Sequence, residues 1–299
     1  MNISIIMATY NGDKYLSEQL DSIINQSITN WTLIVRDDGS TDDTLEILQR
    51  YEKRDSRIKI INDNKGNLGQ LKNFNELLEK AKDSDVVFFS DQDDVWYENK
   101  LEITLSAFEK MKGPVKLVYT NFSLWKNSDS SLKLFYTKDS RIKFTNNLIV
   151  QNWIYGCTMA ISRELVDLSL NIPEEAINHD NWIANIANFF GEIEYLNSDT
   201  IKHRLHENNV TTTEDNGIKQ RFIFLMQSLS EREKQRRRKA KFVSKLIELG
   251  EKNNLENKTL NNISKVINSK GPRTIITLNK LKLRGYSTIQ TMLFYLMFV

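Results

Sequence analysis

Apolar runs of strand length recur at residues 3–8, 31–35, 57–61 and 86–89, and every interval between them carries apolar residues at helical spacing. Tyr15, Leu16, Leu20, Ile23 and Ile24 form one such face, Leu45, Ile47, Leu48 and Tyr51 a second, and Leu71, Phe74, Leu77, Leu78 and Ala81 a third. A strand that returns through a helix comes back in its original direction, so this alternation predicts a mainly parallel sheet flanked by helices. Turn and cap residues punctuate the pattern. Thr9-Tyr10-Asn11-Gly12 closes the first run and Arg36-Asp37-Asp38-Gly39-Ser40 the second; Thr41-Asp42-Asp43 offers an N-cap and first-turn acids to the next helix, and Gly66-Asn67-Leu68-Gly69 introduces the one after.

In parallel sheets ligands bind beyond the carboxyl ends of the strands, where Asn11, Asp38 and Asp91 to Asp94 all fall. The run Val86-Val87-Phe88-Phe89-Ser90 ends abruptly in Asp91-Gln92-Asp93-Asp94. Strand alternation predicts that Asp91 and Asp93 project the same way, so that two hard oxygen ligands share one divalent cation able to grip a diphosphate. A lone D-x-D is more often a solvated turn, and Asn, Asp and Gly populate turns whatever their role. Three polar strand ends of one polarity weigh against that reading. They supply what a nucleotide needs: an amide or carboxylate for the base, an acid for ribose hydroxyls and a metal for the diphosphate.

These residues resemble the family 2 inverting glycosyltransferases of GT-A fold, especially the bacterial enzymes that build rhamnose-containing and other surface polysaccharides. Ile5-Ile6-Met7-Ala8-Thr9-Tyr10-Asn11, Val35-Arg36-Asp37-Asp38-Gly39-Ser40-Thr41-Asp42, Asn67-Leu68-Gly69 and Phe89-Ser90-Asp91-Gln92-Asp93-Asp94-Val95-Trp96 stand in the family's order and spacing, and the likeness extends over roughly residues 1–210. It implies that Thr9, Tyr10, Asn11 and Asp38 contact the base, Asp91 the ribose or metal, and Asp93 the metal. Lys72 stands where many relatives look Arg-like, and would meet a phosphate as a point charge without the guanidinium fork. Asn152-Trp153-Ile154-Tyr155-Gly156 resembles the segment beside the transferred sugar, Gly156 letting backbone approach the ring, with a bent core strand as the competing reading. Trp153 and Trp182 are candidate sugar or acceptor contacts. His179-Asp180-Asn181-Trp182 resembles the position of the general base, which makes Asp180 the group that takes the acceptor's proton; alone, it would read as a helix cap. In Lys202-His203-Arg204-Leu205-His206, Arg204 suits a diphosphate oxygen, and His206 a phosphate or a third metal position. The donor the resemblance implies is dTDP-rhamnose, with UDP-galactose, UDP-glucose or a UDP-N-acetylhexosamine as alternatives, and the acceptor a hydroxyl of a growing, lipid-linked glycan.

Composition limits the alternatives. With three His and one Cys in 299 residues no zinc cluster can be assembled, so carboxylate-held Mg2+ or Mn2+ is expected. A net charge of +2 does not indicate a nucleic-acid-binding field. The lone Cys157 excludes an intrachain disulfide framework, and a strand beginning at Ile3 without a signal peptide points to the cytoplasm, at the inner face of the membrane if the tail binds there. A dinucleotide-dependent oxidoreductase would share the architecture, but no G-x-G-x-x-G follows the first strand. A silent sugar-nucleotide-binding subunit would show the same binding residues; Asp180 argues against it.

Residues 1–214 are expected to form the transferase domain, with a nucleotide-binding half at 1–112 and an acceptor half at 113–214, and residues 215–299 a helical region. Eight basic side chains lie between Arg232 and Lys245, and the apolar tail runs from Thr291 to Val299. The tail is too short to span a bilayer, which takes about 20 apolar residues. The basic run and the tail together suggest peripheral membrane attachment, against packing on the chain's own core or on a second subunit of a homodimer.

Overall fold

The computed structural model describes residues 1–126, 132–136, 145–206, 231–285 and 288–299. Strands β1 (Ile3–Thr9), β2 (Thr32–Asp37), β3 (Ile58–Ile60) and β4 (Val86–Ser90) pair in parallel in the order β3-β2-β1-β4. Consecutive side chains Ile5, Ile6 and Met7 are all fully buried, which requires both faces of the sheet to be covered. The crossovers are α1 (Asp13–Ile24), α2 (Thr44–Arg54) and α3 (Gln70–Ala81), whose buried faces include Leu16, Leu20 and Ile23, then Ile47, Leu48 and Tyr51, then Phe74, Leu77 and Leu78. Gly69 enters α3 at φ +76°, a left-handed value that glycine adopts without strain.

Beyond β4 the sheet becomes mixed. After β5 (Val95–Trp96) and α4 (Lys100–Phe108) come β6 (Lys116–Trp125), β7 (Lys133–Leu134) and β8 (Met159–Ser162); β8 runs antiparallel between β4 and β6. Then α5 (Arg163–Ser169) and α6 (His179–Phe190) lead into β9 (Glu192–Arg204), which is parallel to β6 and antiparallel to β5. Two register shifts around Asn121 break the β6–β9 ladder, and beyond them β9 runs on alongside β5. The end of β9 therefore arrives beside the acidic turn that follows β4.

Four helices close the chain: α7 (Arg232–Lys252), α8 (Lys258–Ile267), α9 (Pro272–Lys280) and α10 (Thr288–Leu296). They dock on α6, where Phe242 meets Trp182 edge-on at 5.7 Å and Asn257 Nδ2 donates to the Phe189 carbonyl at 2.7 Å. Part of the basic run fastens this region to the rest of the fold, while Arg232, Lys234 and Lys241 are exposed. Arg238 donates to the carbonyls of Glu175 and Ala176, Lys239 to those of Ile149 and Val150, and Arg236 to that of Ile267, while Arg237 and Lys245 pair with Glu233 and Glu248. In the tail, Leu293, Phe294, Met297 and Phe298 are buried, which favours packing on the chain's own core, while Met292 and Val299 remain exposed. Among the described residues no helix is long and apolar enough to cross a membrane.

Candidate active site

The carboxyl ends of β1 and β2 are stitched into one rim. Thr9 Oγ1 donates to Asp37, which also accepts from the amides of Gly39 and Ser40. Asn11, at φ +47°, gives its amide to Ser40 Oγ at 2.8 Å and takes the Thr41 amide on Oδ1 at 2.9 Å. Asp38 is buried and saturated: Arg36 Nη1 and the Leu68 amide donate to Oδ1 at 2.7 and 2.8 Å, and the Gly69 amide to Oδ2 at 2.8 Å. Thr9 and Asp38 therefore build the rim instead of facing a base, contrary to the expectation from sequence. The Tyr10 ring and the Asn11 amide are the exposed groups there. Lys72, in the first turn of α3, is exposed and has no ion pair or hydrogen bond among the described residues.

Gln92 crosses from the acidic turn to this rim. Its Oε1 accepts from the Tyr10 amide at 2.9 Å and its Nε2 donates to the Tyr10 carbonyl at 3.1 Å. A Cβ on Gly12 would lie 2.3 Å from Gln92 Oε1, so glycine is needed for this close approach.

β4 stops at Ser90, whose Oγ accepts from Gln19 Nε2 at 2.7 Å. Residues 91–94 form a bend, so strand alternation does not extend to Asp93. Asp93 Oδ2 meets His206 Nε2 at 2.8 Å, and the half-buried Asp91 has no side-chain hydrogen bond among the described residues. Burial, then the charges of Asp94 and Asp93, push Asp91 up to about 8. A carboxylate so placed is ionised at neutral pH only with a cation beside it. Asp91, Asp93 and His206 are of the donor types a hard divalent cation accepts, with imidazole as a tolerated third donor, but only Asp93 and His206 are in contact.

Asp94 behaves differently. It is fully buried, and its Oδ1 meets His203 Nδ1 at 2.8 Å and accepts from the Arg204 amide at 3.3 Å. Ligand atoms of Asp94, Cys157 and His203 lie within 4.8 Å of one another, a spacing that could hold a metal. Burial pulls His203 down, but Asp94 outweighs burial through charge and hydrogen bond and pushes it up to about 9, while burial, then Asp94 and Asp91, push the Cys157 thiol well up. Lys100, also fully buried, donates to the Cys157 carbonyl at 3.2 Å and adds a cationic group beside Asp94. The group ties the acidic turn to β9 and is itself a candidate metal position.

The Arg204 side chain is enclosed by the fold. Its guanidinium is buried between the Tyr15 and Trp125 rings, at 4.4 and 4.1 Å from their centroids, and it contacts Glu18 and the Asp93 carbonyl. It anchors the end of β9.

Asp180 sits in the first turn of α6. Its Oδ2 accepts from the Gly156 amide at 3.2 Å; Oδ1 is buried without a hydrogen bond of good geometry among the described residues. Burial pushes its carboxyl up to about 6 against the amide donors of Asn181 and Gly156, and its charge is felt by Asp91. The space a Gly156 Cβ would need is taken by His179, whose Nε2 would lie 2.5 Å away. Gly156 thus admits an imidazole ring and directs an amide at Asp180, where the sequence suggested approach to a sugar. The His179 ring stacks on Phe74 at 3.8 Å, burial pulls it down to about 3, and both nitrogens lack partners. Trp182 points into the core, its indole N–H on the Ser169 carbonyl at 3.2 Å, and is not a site contact. Trp153 is half-buried, its carbonyl bound by the Tyr136 hydroxyl.

Sequence reasoning did not assign Gln92, Lys100, His179 or His203. The one available signal was Asp94 itself, a third carboxylate left without a role and hence in need of a buried cationic partner.

Residues 4–167 match the family described as "Glycosyl transferase family 2". Among curated proteins the chain is 30% identical over 213 residues to the putative teichuronic acid biosynthesis glycosyltransferase TuaG of Bacillus subtilis, spanning 70% of this chain and 81% of that one. It is 33% identical over 168 residues to the UDP-Glc:alpha-D-GlcNAc-diphosphoundecaprenol beta-1,3-glucosyltransferase WfgD of Escherichia coli (55% of this chain, 62% of the other). It is 29% identical over 222 residues to the dTDP-rhamnosyl transferase RfbG of Shigella flexneri (68% and 72%). Among solved structures, S. aureus TarS 1-349 in complex with UDP-GlcNAc superposes with TM-score 0.56 at 19% identity over 94% of this chain and 80% of that one. The mannosyltransferase PcManGT from Pyrobaculum calidifontis, in complex with GDP-Man and Mn2+, does so with TM-score 0.52 at 14% identity over 94% and 68%. At these identities the structural likeness is one of fold.

Proposed function

The chain belongs to glycosyl transferase family 2 and has the GT-A fold, and from that premise we propose that it moves a sugar from a nucleoside-diphosphate donor to an acceptor hydroxyl in one inverting displacement. The observation that carries this reading is Asp180. Its Oδ1 is buried without a hydrogen bond of good geometry among the described residues, its carboxyl is pushed up to about 6, and it lies within electrostatic reach of the carboxylate cluster at the carboxyl end of β4. A base with that affinity is ionised near neutral pH yet holds a proton well enough to take one from a hydroxyl in the transition state. The Gly156 amide fixes its other oxygen and so its direction.

Asp91, Asp93 and His206 would hold Mg2+ or Mn2+, which supplies charge stabilisation for the departing diphosphate. Asn11 and the Tyr10 ring are placed for the base, and Lys72 is the unpaired cation nearest in sequence to the rim loop that Asp38 holds. The acceptor reading, a growing lipid-linked surface polysaccharide, is supported by the names of TuaG and WfgD. Those of WfgD and RfbG support UDP-glucose and dTDP-rhamnose as the first donors to test, with UDP-galactose and UDP-N-acetylhexosamines beside them.

The test is donor turnover by the purified protein across these nucleotide sugars with Mg2+ or Mn2+, with Asp180→Asn as control. Cation-dependent release of the nucleoside diphosphate that Asp180→Asn abolishes is expected. Donor binding without turnover by the wild type, in the presence of acceptor glycans, would leave a silent binding subunit as the better reading.

A further inference from the structure

His206 lies two residues beyond the end of β9: among the described residues the last ladder pair is Arg204 opposite Trp125, and a Leu205 amide to Trp125 carbonyl bond of 2.8 Å follows. Its imidazole nonetheless meets Asp93 Oδ2 at 2.8 Å. Something must fix the chain just before it. Asp94, fully buried, receives both His203 Nδ1 and the Arg204 amide on one carboxylate oxygen, at 2.8 and 3.3 Å. Arg204 Nε returns to the Asp93 carbonyl at 2.9 Å, so adjacent residues of the acidic turn grip adjacent residues of β9. The Tyr15 ring completes the bracket, since one ring meets the Arg204 guanidinium at 4.4 Å and the His206 imidazole at 5.2 Å.

From this geometry we propose that Asp94 is a positioning residue that sets the affinity of the site for a divalent cation by holding residues 203–206 so that His206 stands beside Asp93. The inference rests on His206 being a cation ligand, as argued above. Asp94 acts here through Oδ1, which is committed to β9; its Oδ2 is buried without a hydrogen-bond partner among the described residues, and direct ligation through that oxygen would show as multiplied losses in the test below. Groups behind a metal ligand that orient it typically change affinity about 10–100-fold when lost.

Mn2+ alone, titrated into the full-length protein with free Mn2+ read by electron paramagnetic resonance, tests the proposal through a double-mutant cycle. His206→Ala is expected to weaken Mn2+ binding about 10–100-fold and Asp94→Asn about tenfold or more. In the doubly substituted protein the loss should be no larger than for His206→Ala alone, because Asp94 acts through that imidazole. Multiplied losses, or wild-type affinity in a folded Asp94→Asn, overturn the proposal. Wild-type affinity in His206→Ala overturns it too, but identifies the ligand assignment as the part that failed. If Asp94→Asn does not fold, the partner side serves. His203→Leu removes the bond and should weaken Mn2+ binding, whereas His203→Asn, whose amide reaches the place of Nδ1, should restore it. Equal affinities for those two variants overturn the proposal, since a packing role alone would not separate them in this way.

Discussion

Asp38 and Asp91 both follow parallel strands at the same edge of one sheet, yet their surroundings are opposite. Asp38 has both oxygens occupied by an arginine and two backbone amides, while Asp91 has no side-chain hydrogen bond among the described residues and lies among like charges. Asp94 and Asp180 fall between these extremes: each has one oxygen bound, Asp94 Oδ1 by His203 and the Arg204 amide and Asp180 Oδ2 by the Gly156 amide, and the other buried without a hydrogen bond of good geometry among the described residues. A carboxylate whose lone pairs are filled by the fold is a structural part. One denied its partners is costly to bury, and that cost is tolerated where a cation or a proton is to be taken up.

The strongest challenge to this division is Asp180→Asn, which preserves shape and removes basicity. Transfer should fall by about two orders of magnitude or more while donor affinity, read by calorimetry with the nucleoside diphosphate, stays near wild type. A parallel fall of both would move Asp180 to the structural group.

Asp93→Asn should weaken Mn2+ binding by at least about tenfold and leave thermal stability little changed, because an oxygen ligand loses its charge in a site built to receive one. Asp38→Asn should do the reverse. An amide can accept on only one atom, so a buried donor is left unmet and stability should drop by about 1–3 kcal/mol in denaturant unfolding. If Asp38→Asn unfolds like wild type and chiefly weakens nucleotide binding, the base-contact expectation regains its place.

The protonation of Asp180 gives a further check. Activity should decline below about pH 6 as the base becomes protonated. Because the folded carboxyl binds its proton more tightly than a free aspartate, its contribution to stability is full at low pH and lost as pH rises through about 6. Asp180→Asn should therefore melt higher than wild type at pH 8 and at the same temperature near pH 4. The smallest effect is expected at Lys72, where exposure and lack of partners predict a few-fold rise in donor KM for Lys72→Ala, screened by salt.

The alternating architecture was legible because periodicity and turn residues act locally: α3 and its buried face, Phe74, Leu77 and Leu78, follow from spacing and a glycine entry. The location of the site was legible too, since parallel strands present their carboxyl ends together. The roles of individual residues were less so. Arg204 has the chemistry of a diphosphate ligand, but Tyr15 and Trp125, far from it in sequence, enclose it. Trp182 and Trp153 share a residue type, and only packing against Phe242 separates the core residue from the half-buried one. The tail suggested a membrane anchor because its composition records hydrophobicity and not its destination, and the burial of Phe294 and Phe298 favours the chain's own core.

By itself the sequence determined the order of strands and helices, the family, and the set of carboxylates, amides and imidazoles from which a site is drawn; each depends on local pattern or residue type. The tertiary structure decided which of them remain available. Whether Asp38 or Asp91 keeps free lone pairs depends on amides and cations brought from elsewhere in the chain, the Leu68 and Gly69 amides for one and none for the other, and no local pattern encodes that long-range choice.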